Sequence, residues 1–456
     1  MVSSNLLKTI RFSKTKQWNV KYFFSTSITS KYPISNIGKH TIHITSKTKL
    51  FEEPEKEFRI LGISNEVGMF DAYMELGKNI NQPYIYVENG CLAYNPYRVN
   101  VGSIGLKTDE LLNEYISPAY VVFKCKETLL PEYLYLVLKT SIFNTLIKDN
   151  TTGSVRQTLS YDKLSNINIP VPPVDIQCKL VEKYNDYIKK AQSIEQKADL
   201  LNEEMDNYIF DMLKIEKRII NKNDLKLLKT TSFSKMVGWG AKMNSNTIKP
   251  QDVFKSSQFD NLPLEFFCEL NPKTIYPEDV EDVSFIPMEC VSDIYGEIIE
   301  HKVGKTNKSK GYTAFQENDV IWAKITPCMQ NGKCAVATNL KNGCAYGSTE
   351  FHVFRTNENA LPEYIYCLLR TKRLRKVAMS YFTGSAGQQR VGTDFLEMLT
   401  FPKLPIYSDN PNVITQEAVV RKVFDIRNQV RKMRTQAKKL RTQAKKEFEE
   451  AVFNEA

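Results

Sequence analysis

The sequence predicts a duplicated α/β protein, in which two mixed α+β domains are each followed by a long helix. Three observations lead to this prediction: a heptad pattern of apolar residues in the middle of the chain, a second one near its end, and short motifs that occur twice in the same order. We expect the two helices to form an intramolecular antiparallel coiled coil, because each follows one copy of the same module. The alternative at this point is a pair of unrelated oligomerisation coils.

The first heptad pattern lies between Ile176 and Ile215. Its apolar residues recur in alternating steps of four and three, which is the spacing of a coiled-coil seam. The seam consists of Leu180, Tyr184, Tyr187, Ala191, Ile194, Ala198, Leu201, Met205, Tyr208 and Met212. Because Pro172-Pro173 prevents an earlier start, the pattern predicts one helix of roughly 40 residues, about 60 Å long at ~1.5 Å per residue.

The second heptad pattern starts at about Gln416. Its apolar positions are Val423, Ile426, Val430, Met433, Ala437, Leu440, Ala444 and Phe448. Two nearly identical heptads stand in tandem here, Arg434-Thr-Gln-Ala-Lys-Lys-Leu440 and Arg441-Thr-Gln-Ala-Lys-Lys-Glu447. This spacing predicts a second long helix with an apolar stripe that needs a partner.

Short motifs show that the chain contains the same module twice. Leu130-Pro-Glu-Tyr133 is repeated as Leu361-Pro-Glu-Tyr364, and Thr152-Gly-Ser154 is repeated as Thr383-Gly-Ser385. These and further pairs keep their order along the chain, which indicates a duplication. The duplication predicts a first domain at 1–173, a central helix at 174–216, a linker and second domain at 217–405, and a C-terminal helix at 406–456.

Within the first domain, aromatic and β-branched runs predict strands and one apolar run predicts a helix. The strands are expected at Ile85–Val87, Cys91–Tyr94, Tyr120–Phe123 and Ile167–Pro170, and the helix at Pro131–Lys148. The second domain repeats this plan, with strands near Val320–Trp322 and Phe351–Phe354. An Asn- and Lys-rich linker is expected from Lys217 to about Leu228.

Composition excludes several classes of protein. No run of about 18 apolar residues and no signal-peptide core occurs, so we expect a cytoplasmic protein that does not cross a membrane. The nine cysteines form no CxxC pair and there are only four histidines, which disfavours disulfides and a metal site. The net charge of +10 is compatible with a polyanionic partner.

Motifs that could carry catalysis are incomplete. Asn95-Pro-Tyr97 resembles the Asn-Pro-Pro-Tyr box of adenine methyltransferases, but the second proline is missing and no glycine-rich turn offers a methyl-donor site. Gly304-Lys-Thr306 resembles the end of a phosphate-binding loop, but Ile299 stands where that loop has its first glycine. The chain is therefore expected to be non-catalytic.

Basic and amide residues instead occur in glycine-containing loops of both copies. Arg and Lys suit guanine, and Asn and Gln suit adenine, in the major groove of DNA, whereas lysines also suit phosphates. The candidate DNA-binding residues are Arg98, Asn100, Ser103, Ser154, Arg156 and Gln157 in the first copy, and Lys305, Lys308, Lys324, Gln330, Asn331, Lys333, Ser385, Gln388, Gln389 and Arg390 in the second. An ordinary solvated loop explains any single one of them better, and it is their occurrence in both copies that favours the functional interpretation.

Two copies that each end in a Thr-Gly-Ser turn, a short strand and a long helix resemble the specificity subunit of type I restriction–modification enzymes. The segment Glu317-Asn-Asp-Val-Ile-Trp-Ala-Lys-Ile-Thr-Pro-Cys-Met-Gln-Asn-Gly-Lys333 is similar to the target-recognition domains of that family. The resemblance implies that each domain reads one half of a split site in double-stranded DNA and that paired helices set the spacing between the halves.

The resemblance also implies partner subunits. Two methyltransferase (modification) subunits and the motor-nuclease (restriction) subunits would dock on this chain, and S-adenosylmethionine, ATP and Mg²⁺ would bind to them, with no cofactor on this chain. Two alternatives remain open from the sequence: a recognition subunit of another phage-defence DNA methylation system, and a coiled-coil assembly scaffold that does not bind DNA.

Overall fold

A computed structural model of the chain describes residues 28–98, 102–150, 158–216, 248–277, 279–384 and 388–453, apart from the side chains of 148–150. The linker expected from Lys217 to Leu228 lies outside these residues. The chain divides into two compact units: unit 1 contains residues 1–193 and 436–456, and unit 2 contains residues 194–435. Each unit is described by itself below.

In the described residues, unit 1 has ten short strands in three sheets. The strands are β1 Ile34–Asn36, β2 Thr41–Ile44, β3 Glu57–Ser64, β4 Gly68–Leu76, β5 Ile85–Tyr86, β6 Cys91–Tyr94, β7 Ile104–Leu106, β8 Tyr115–Ile116, β9 Val121–Cys125 and β10 Asn168–Pro170. Two sheets have four strands each, in the orders β2-β9-β6-β7 and β4-β3-β8-β5, and β1 pairs with β10. In the first of these sheets every pair is antiparallel, whereas β3 and β8 are parallel.

The helices of unit 1 pack on the first sheet. They are α1 Ile37–His40, α2 Pro131–Leu138, α3 Ser141–Asn150 and α4 Tyr161–Ser165, and they precede the long helix α5 Val174–Met212. One apolar core contains residues of β6, β9, α2 and α3. The sequence predicted a single helix at Pro131–Lys148, but Thr140 interrupts it. The Thr140 hydroxyl donates to the Val137 carbonyl (2.6 Å) at the end of α2 and accepts from the Phe143 N–H (3.3 Å) in the first turn of α3. Thr140 therefore caps a new helix.

Unit 2 repeats this strand plan. Its strands are β11 Asn261–Pro263, β12 Cys268–Leu270, β13 Asp282–Ile286, β14 Lys302–Lys305, β15 Thr313–Gln316, β16 Val320–Ala323, β17 Cys334–Val336, β18 Cys344–Gly347, β19 Phe351–Thr356, β20 Phe382–Thr383, β21 Arg390–Val391 and β22 Thr400–Pro402. The sheet orders are β12-β19-β16-β17, β14-β13-β18-β15, β11-β22 and β20-β21. The first three match the three sheets of unit 1 strand for strand, so the predicted duplication of a mixed α/β domain is confirmed.

The helices of unit 2 follow the same plan. They are α6 Cys328–Asn331, α7 Pro362–Leu369, α8 Lys372–Ala378 and α9 Thr393–Glu397, followed by the long helix α10 Gln416–Val452. Helices α7 and α2 carry the repeated Leu-Pro-Glu-Tyr motif, with the proline at the first helical turn, where its missing N–H has no cost. The tyrosine of each motif is buried, and its hydroxyl donates to the carbonyl of the proline that ends a short strand. Tyr133 donates to Pro170 and Tyr364 to Pro402, both at 2.9 Å.

A buried glutamine ties the first turn of each long helix to its domain. In α5, the Gln177 side chain accepts from the Leu130 N–H (2.8 Å) and donates to the carbonyls of Thr128 (3.1 Å) and Pro172 (2.8 Å). In α10, Gln416 accepts from the Leu361 N–H (2.9 Å) and donates to two carbonyls in the same way. Both glutamines are fully buried, so backbone groups of the same unit satisfy the polar atoms of each side chain.

Both long helices contribute residues to each unit, and they touch there through their apolar seams. In unit 1, the rings of Tyr184 and Phe448 lie 6.2 Å apart between centroids, and the Tyr187 hydroxyl donates to Glu447 (2.9 Å). In unit 2, Ala198, Ile426 and Val430 form a buried cluster with half-buried Leu201, Met205, Tyr208 and Met433. The predicted seam residues of α5 are therefore buried or half-buried. None of the helices in the described part of the chain is long and apolar enough to cross a membrane.

Candidate DNA-recognition surface

The loop between β16 and β17 carries four of the predicted DNA-binding residues of unit 2. Lys324 directly follows β16, Gln330 and Asn331 end helix α6, and Lys333 precedes β17. Gly332 ends the helix at φ 86°, a left-handed conformation that favours glycine, and this lets the chain turn back into β17 at once. Asn331 is exposed and Gln330 half-buried, whereas the Lys333 ammonium donates to the Met288 carbonyl (2.8 Å) of its own domain.

Backbone hydrogen bonds join this loop to the strand that carries the second group of predicted residues. The Thr326 N–H donates to the Gln389 carbonyl (2.9 Å), and the Val391 N–H donates to the Lys324 carbonyl (3.0 Å). Lys324 and Arg390 therefore lie in paired segments, although they are far apart in the sequence. Gln388 is exposed and precedes this pairing, so Gln388, Gln389 and Arg390 share one surface with the β16–β17 loop. We call these segments, 324–333 and 388–391, the loop pair.

A third segment, at the start of β19, supports the loop pair from inside. The Lys324 N–H donates to the Glu350 carbonyl (2.9 Å). The Glu350 carboxylate binds the Arg390 guanidinium, with distances of 2.9 and 3.0 Å to Nε and 2.7 Å to Nη2. This contact raises the pKa of Arg390 and lowers the pKa of Glu350, so both groups stay charged. His352, buried two residues later, hydrogen-bonds the Val391 carbonyl at 2.9 Å.

The two remaining lysines of the prediction lie on the other sheet of unit 2. Lys305 ends β14, an outer strand of the sheet β14-β13-β18-β15, and Lys308 follows in a short 3₁₀ turn. The Lys305 ammonium lies 2.8 Å from Asp282 and 3.4 Å from Glu281. Hydrogen bonds from Lys305 and Lys341 lower the pKa of Asp282 to about 2. Acidic neighbours thus offset much of the charge that Lys305 would offer to a phosphate.

In unit 1, the loop between β6 and β7 occupies the position that the β16–β17 loop has in unit 2. Arg98 lies in this loop and is exposed, whereas Ser103 is 4% exposed and offers little surface to a base or phosphate. The other predicted residues, Asn100, Ser154, Arg156, Gln157 and Ser385, lie outside the described residues. Arg98 and the loop pair therefore place predicted residues in corresponding loops of both units.

The chemistry of the loop pair is that of hydrogen-bond donors. It offers guanidinium, ammonium and amide groups, which match the acceptors on base edges and phosphates. In the described part of the chain, no group of three or more His, Cys, Asp and Glu side chains is arranged to hold a metal ion. Glu350 and His352 belong to this site although the sequence analysis did not single them out.

Comparison with known families identifies part of the chain directly. Residues 77–203 match the family model described as "Type I restriction modification DNA specificity domain". The chain is 35% identical to the EcoEI type I restriction enzyme specificity subunit of Escherichia coli over 146 residues, which are 32% of this chain. It is 36% identical to the EcoAI specificity subunit of the same species over 153 residues, which are 33% of this chain. The matches span 25% and 26% of those proteins, about a quarter of their length.

The fold extends the likeness beyond the matched residues. One solved structure concerns complex assembly and conformational transition of the type I R-M system. A chain in it superimposes on this chain with a TM-score of 0.53 at 13% identity. The superposition covers 94% of this chain and 98% of that one. At this identity the likeness concerns the fold alone. Residues 77–203 are therefore similar to the type I restriction modification DNA specificity domain, and the predicted resemblance of the chain to the specificity subunits of type I restriction enzymes is confirmed.

Proposed function

We propose that the chain is the DNA-reading specificity subunit of a type I restriction–modification complex and has no catalytic role of its own. The observation that carries this proposal is the loop pair of unit 2, which collects Lys324, Gln389 and Arg390 on one surface. The similarity of residues 77–203 to the specificity domain supports the same function for unit 1. Arg98 stands there in the loop that corresponds to the one carrying Lys324.

The side chains of the loop pair suit the major groove. Arg390 can donate to guanine O6 and N7, and the Gln389 amide can donate to and accept from the edge of adenine. Lys324 and the exposed Asn331 flank these two residues and suit phosphates or further bases. Because unit 1 repeats the strand plan of unit 2, each unit would read one half of a split site.

The two long helices would form one antiparallel coiled coil that fixes the distance between the half-sites. The contacts inside each unit support this, since the seam of α5 packs on α10 in both, through Tyr184 and Phe448 in unit 1 and through Ala198 and Val430 in unit 2. The seam also keeps its alternating three-four spacing along the whole of α5, so nothing in the sequence interrupts the pairing.

The partners of the proposed complex are double-stranded DNA, two methyltransferase subunits and the motor-nuclease subunits. S-adenosylmethionine, ATP and Mg²⁺ would be bound by those subunits. The complex would work in the cytoplasm, where the host DNA lies.

Substitution in the loop pair tests the proposal. In the assembled complex, Arg390→Ala or Gln389→Ala should change the bases recognised in one half-site and leave the other half-site intact. A lost bidentate base contact lowers affinity for the cognate base pair by roughly 5- to 150-fold. Methylome sequencing of a host that expresses each variant complex would identify the altered half-site.

Arg98→Ala is the matched variant in unit 1, and it should change only the opposite half-site. If Arg390→Ala instead weakened binding to every DNA sequence equally, Arg390 would be a phosphate contact. If both variants changed the same half-site, the assignment of one half-site to each unit would be wrong.

A further inference from the structure

We infer that Glu350 positions Arg390 for base reading and thereby sets the base preference of one half-site. The inference rests on the proposed function, because it concerns how the loop pair recognises DNA. Glu350 lies outside the loop pair and carries a charge that DNA repels, so its residue type alone would assign it no part in DNA binding. Its contacts with Arg390 are what assign it this role.

The geometry of the ion pair decides which N–H groups of Arg390 remain available. A guanidinium has five N–H groups. The Glu350 carboxylate accepts hydrogen bonds from the N–H on Nε and from one N–H on Nη2. The Gln388 carbonyl accepts from one N–H on Nη1 at 3.0 Å. One N–H on each terminal nitrogen is left without a partner in the described part of the chain. Two such donors are what a guanine O6 and N7 require.

Glu350 is itself fixed to the loop pair. Its carbonyl accepts from the Lys324 N–H (2.9 Å), and its own N–H donates to the Ser348 hydroxyl (3.2 Å). Two residues further on, His352 hydrogen-bonds the carbonyl of Val391, the residue after Arg390. The backbones of Glu350 and Arg390 thus belong to one hydrogen-bond network, which places the carboxylate beside the guanidinium that it binds.

Arg390 and Glu350 differ in how far their side chains are exposed and in the charge that they present to solvent. The Arg390 side chain is 41% exposed and the Glu350 side chain only 20%, so the guanidinium is the member of the pair that faces solvent. The carboxylate is neutralised by Arg390, and Lys324 beside it leaves the cluster with a positive charge. An approaching DNA strand would therefore meet donors and positive charge, with the carboxylate behind them.

A plain structural role for the ion pair makes a different prediction. Partly exposed ion pairs contribute little to the stability of a fold. We therefore expect Glu350→Gln to leave the thermal unfolding temperature almost unchanged while it changes base preference. A brace that merely holds the domain together would lower the unfolding temperature and weaken binding to all DNA sequences alike.

The experiment measures competition binding by the assembled complex, using duplexes that carry each of the four base pairs at the position where Arg390→Ala loses its preference. Glu350→Gln should reduce discrimination at that same position by at least about fivefold, and Glu350→Asp, which keeps the charge, should restore part of it. Glu203→Gln is the matched control: this carboxylate of unit 2 also binds a cation, Lys372 at 3.2 Å, and should leave base preference unchanged.

Two results would overturn the inference: a wild-type base preference in Glu350→Gln, or an equal loss on all four duplexes. The failure of the proposed function would look different, because the wild-type complex itself would then show no preference for any DNA sequence. Measuring the wild-type complex first separates the two failures.

Discussion

At the scale of single residues, His352 joins the loop pair to the interior of unit 2 through two hydrogen bonds. Its Nε2 donates to the Val391 carbonyl (2.9 Å), and its Nδ1 accepts from the Asn271 amide (3.1 Å). The ring lies nearly parallel to that of Trp322, with 6.3 Å between centroids. These two hydrogen bonds require the neutral imidazole, and burial lowers the pKa of His352 below its usual 6.5.

The depressed pKa of His352 predicts a pH dependence of stability. Since the unfolded chain binds the proton more readily than the folded one, the stability contributed by neutral His352 is present above about pH 6.5 and is lost as the pH falls. His352→Gln keeps a donor for the Val391 carbonyl but cannot titrate. The fall in the free energy of unfolding from about pH 7.5 to about pH 5.5 should therefore be smaller in this variant. Denaturant titrations of the wild-type protein and of His352→Gln at the two pH values measure this fall. An equal fall in the two proteins would contradict the assigned role of His352.

Residue types alone could predict part of this surface. Lys324 and Arg390 are predicted DNA contacts because their chemistry suits DNA and because they stand in loops of a repeated module. Glu350 and His352 are not, since their importance arises from contacts with residues about 40 positions away in the sequence. No local pattern marks such a contact. Lys305 shows the reverse, because acidic partners that only the fold brings together offset its charge.

At the scale of elements, the repeated glutamines explain how each long helix is attached to its domain. Gln177 and Gln416 stand in the first turns of α5 and α10, and each satisfies one backbone N–H and two carbonyls of its own unit. The sequence predicted both helices from their heptads, but it gave no sign of this attachment. It also missed the break between α2 and α3, because one threonine hydroxyl decides it.

Replacing either buried glutamine by leucine should destabilise its unit. Gln177→Leu removes the side-chain partners of three buried or partly buried backbone groups in unit 1, and Gln416→Leu does the same in unit 2, so each should lower the free energy of unfolding by about 1–3 kcal/mol. Gln196→Leu, the same change at an exposed position of α5, is the control and should have little effect. Urea titrations measure all three variants. Equal stability of Gln177→Leu and Gln196→Leu would show that the buried hydrogen bonds do not hold the helix in place.

At the scale of the whole molecule, the duplicated strand order follows from motifs that the sequence repeats, such as the two Leu-Pro-Glu-Tyr segments. The division into units could not be predicted in the same way. Residues 436–456 belong to unit 1 because Phe448 and Val452 join the core of the first domain. The heptad pattern specifies that these residues need an apolar partner, but it does not specify which domain provides it.

Inserting one heptad after Leu201 tests whether the helices set the spacing of the half-sites. Seven residues lengthen α5 by about 10 Å at ~1.5 Å per residue and rotate its far end by only about 20°. Since DNA rises about 3.4 Å per base pair, the gap should grow by up to roughly three base pairs, and by about one if a bulge absorbs part of the insertion. Methylome sequencing of the variant complex would show the gap. An unchanged gap with full activity would mean that the helices do not set the spacing between the half-sites. Altered bases within a half-site would contradict the assignment of one half-site to each domain.

The most direct test of the central claim is methylome sequencing of a host that expresses the wild-type chain with its methyltransferase subunits. One recognition domain in each unit predicts a methylated motif of two short specific parts, separated by a non-specific gap of fixed length. A single uninterrupted motif, or methylation without any motif, would contradict the account.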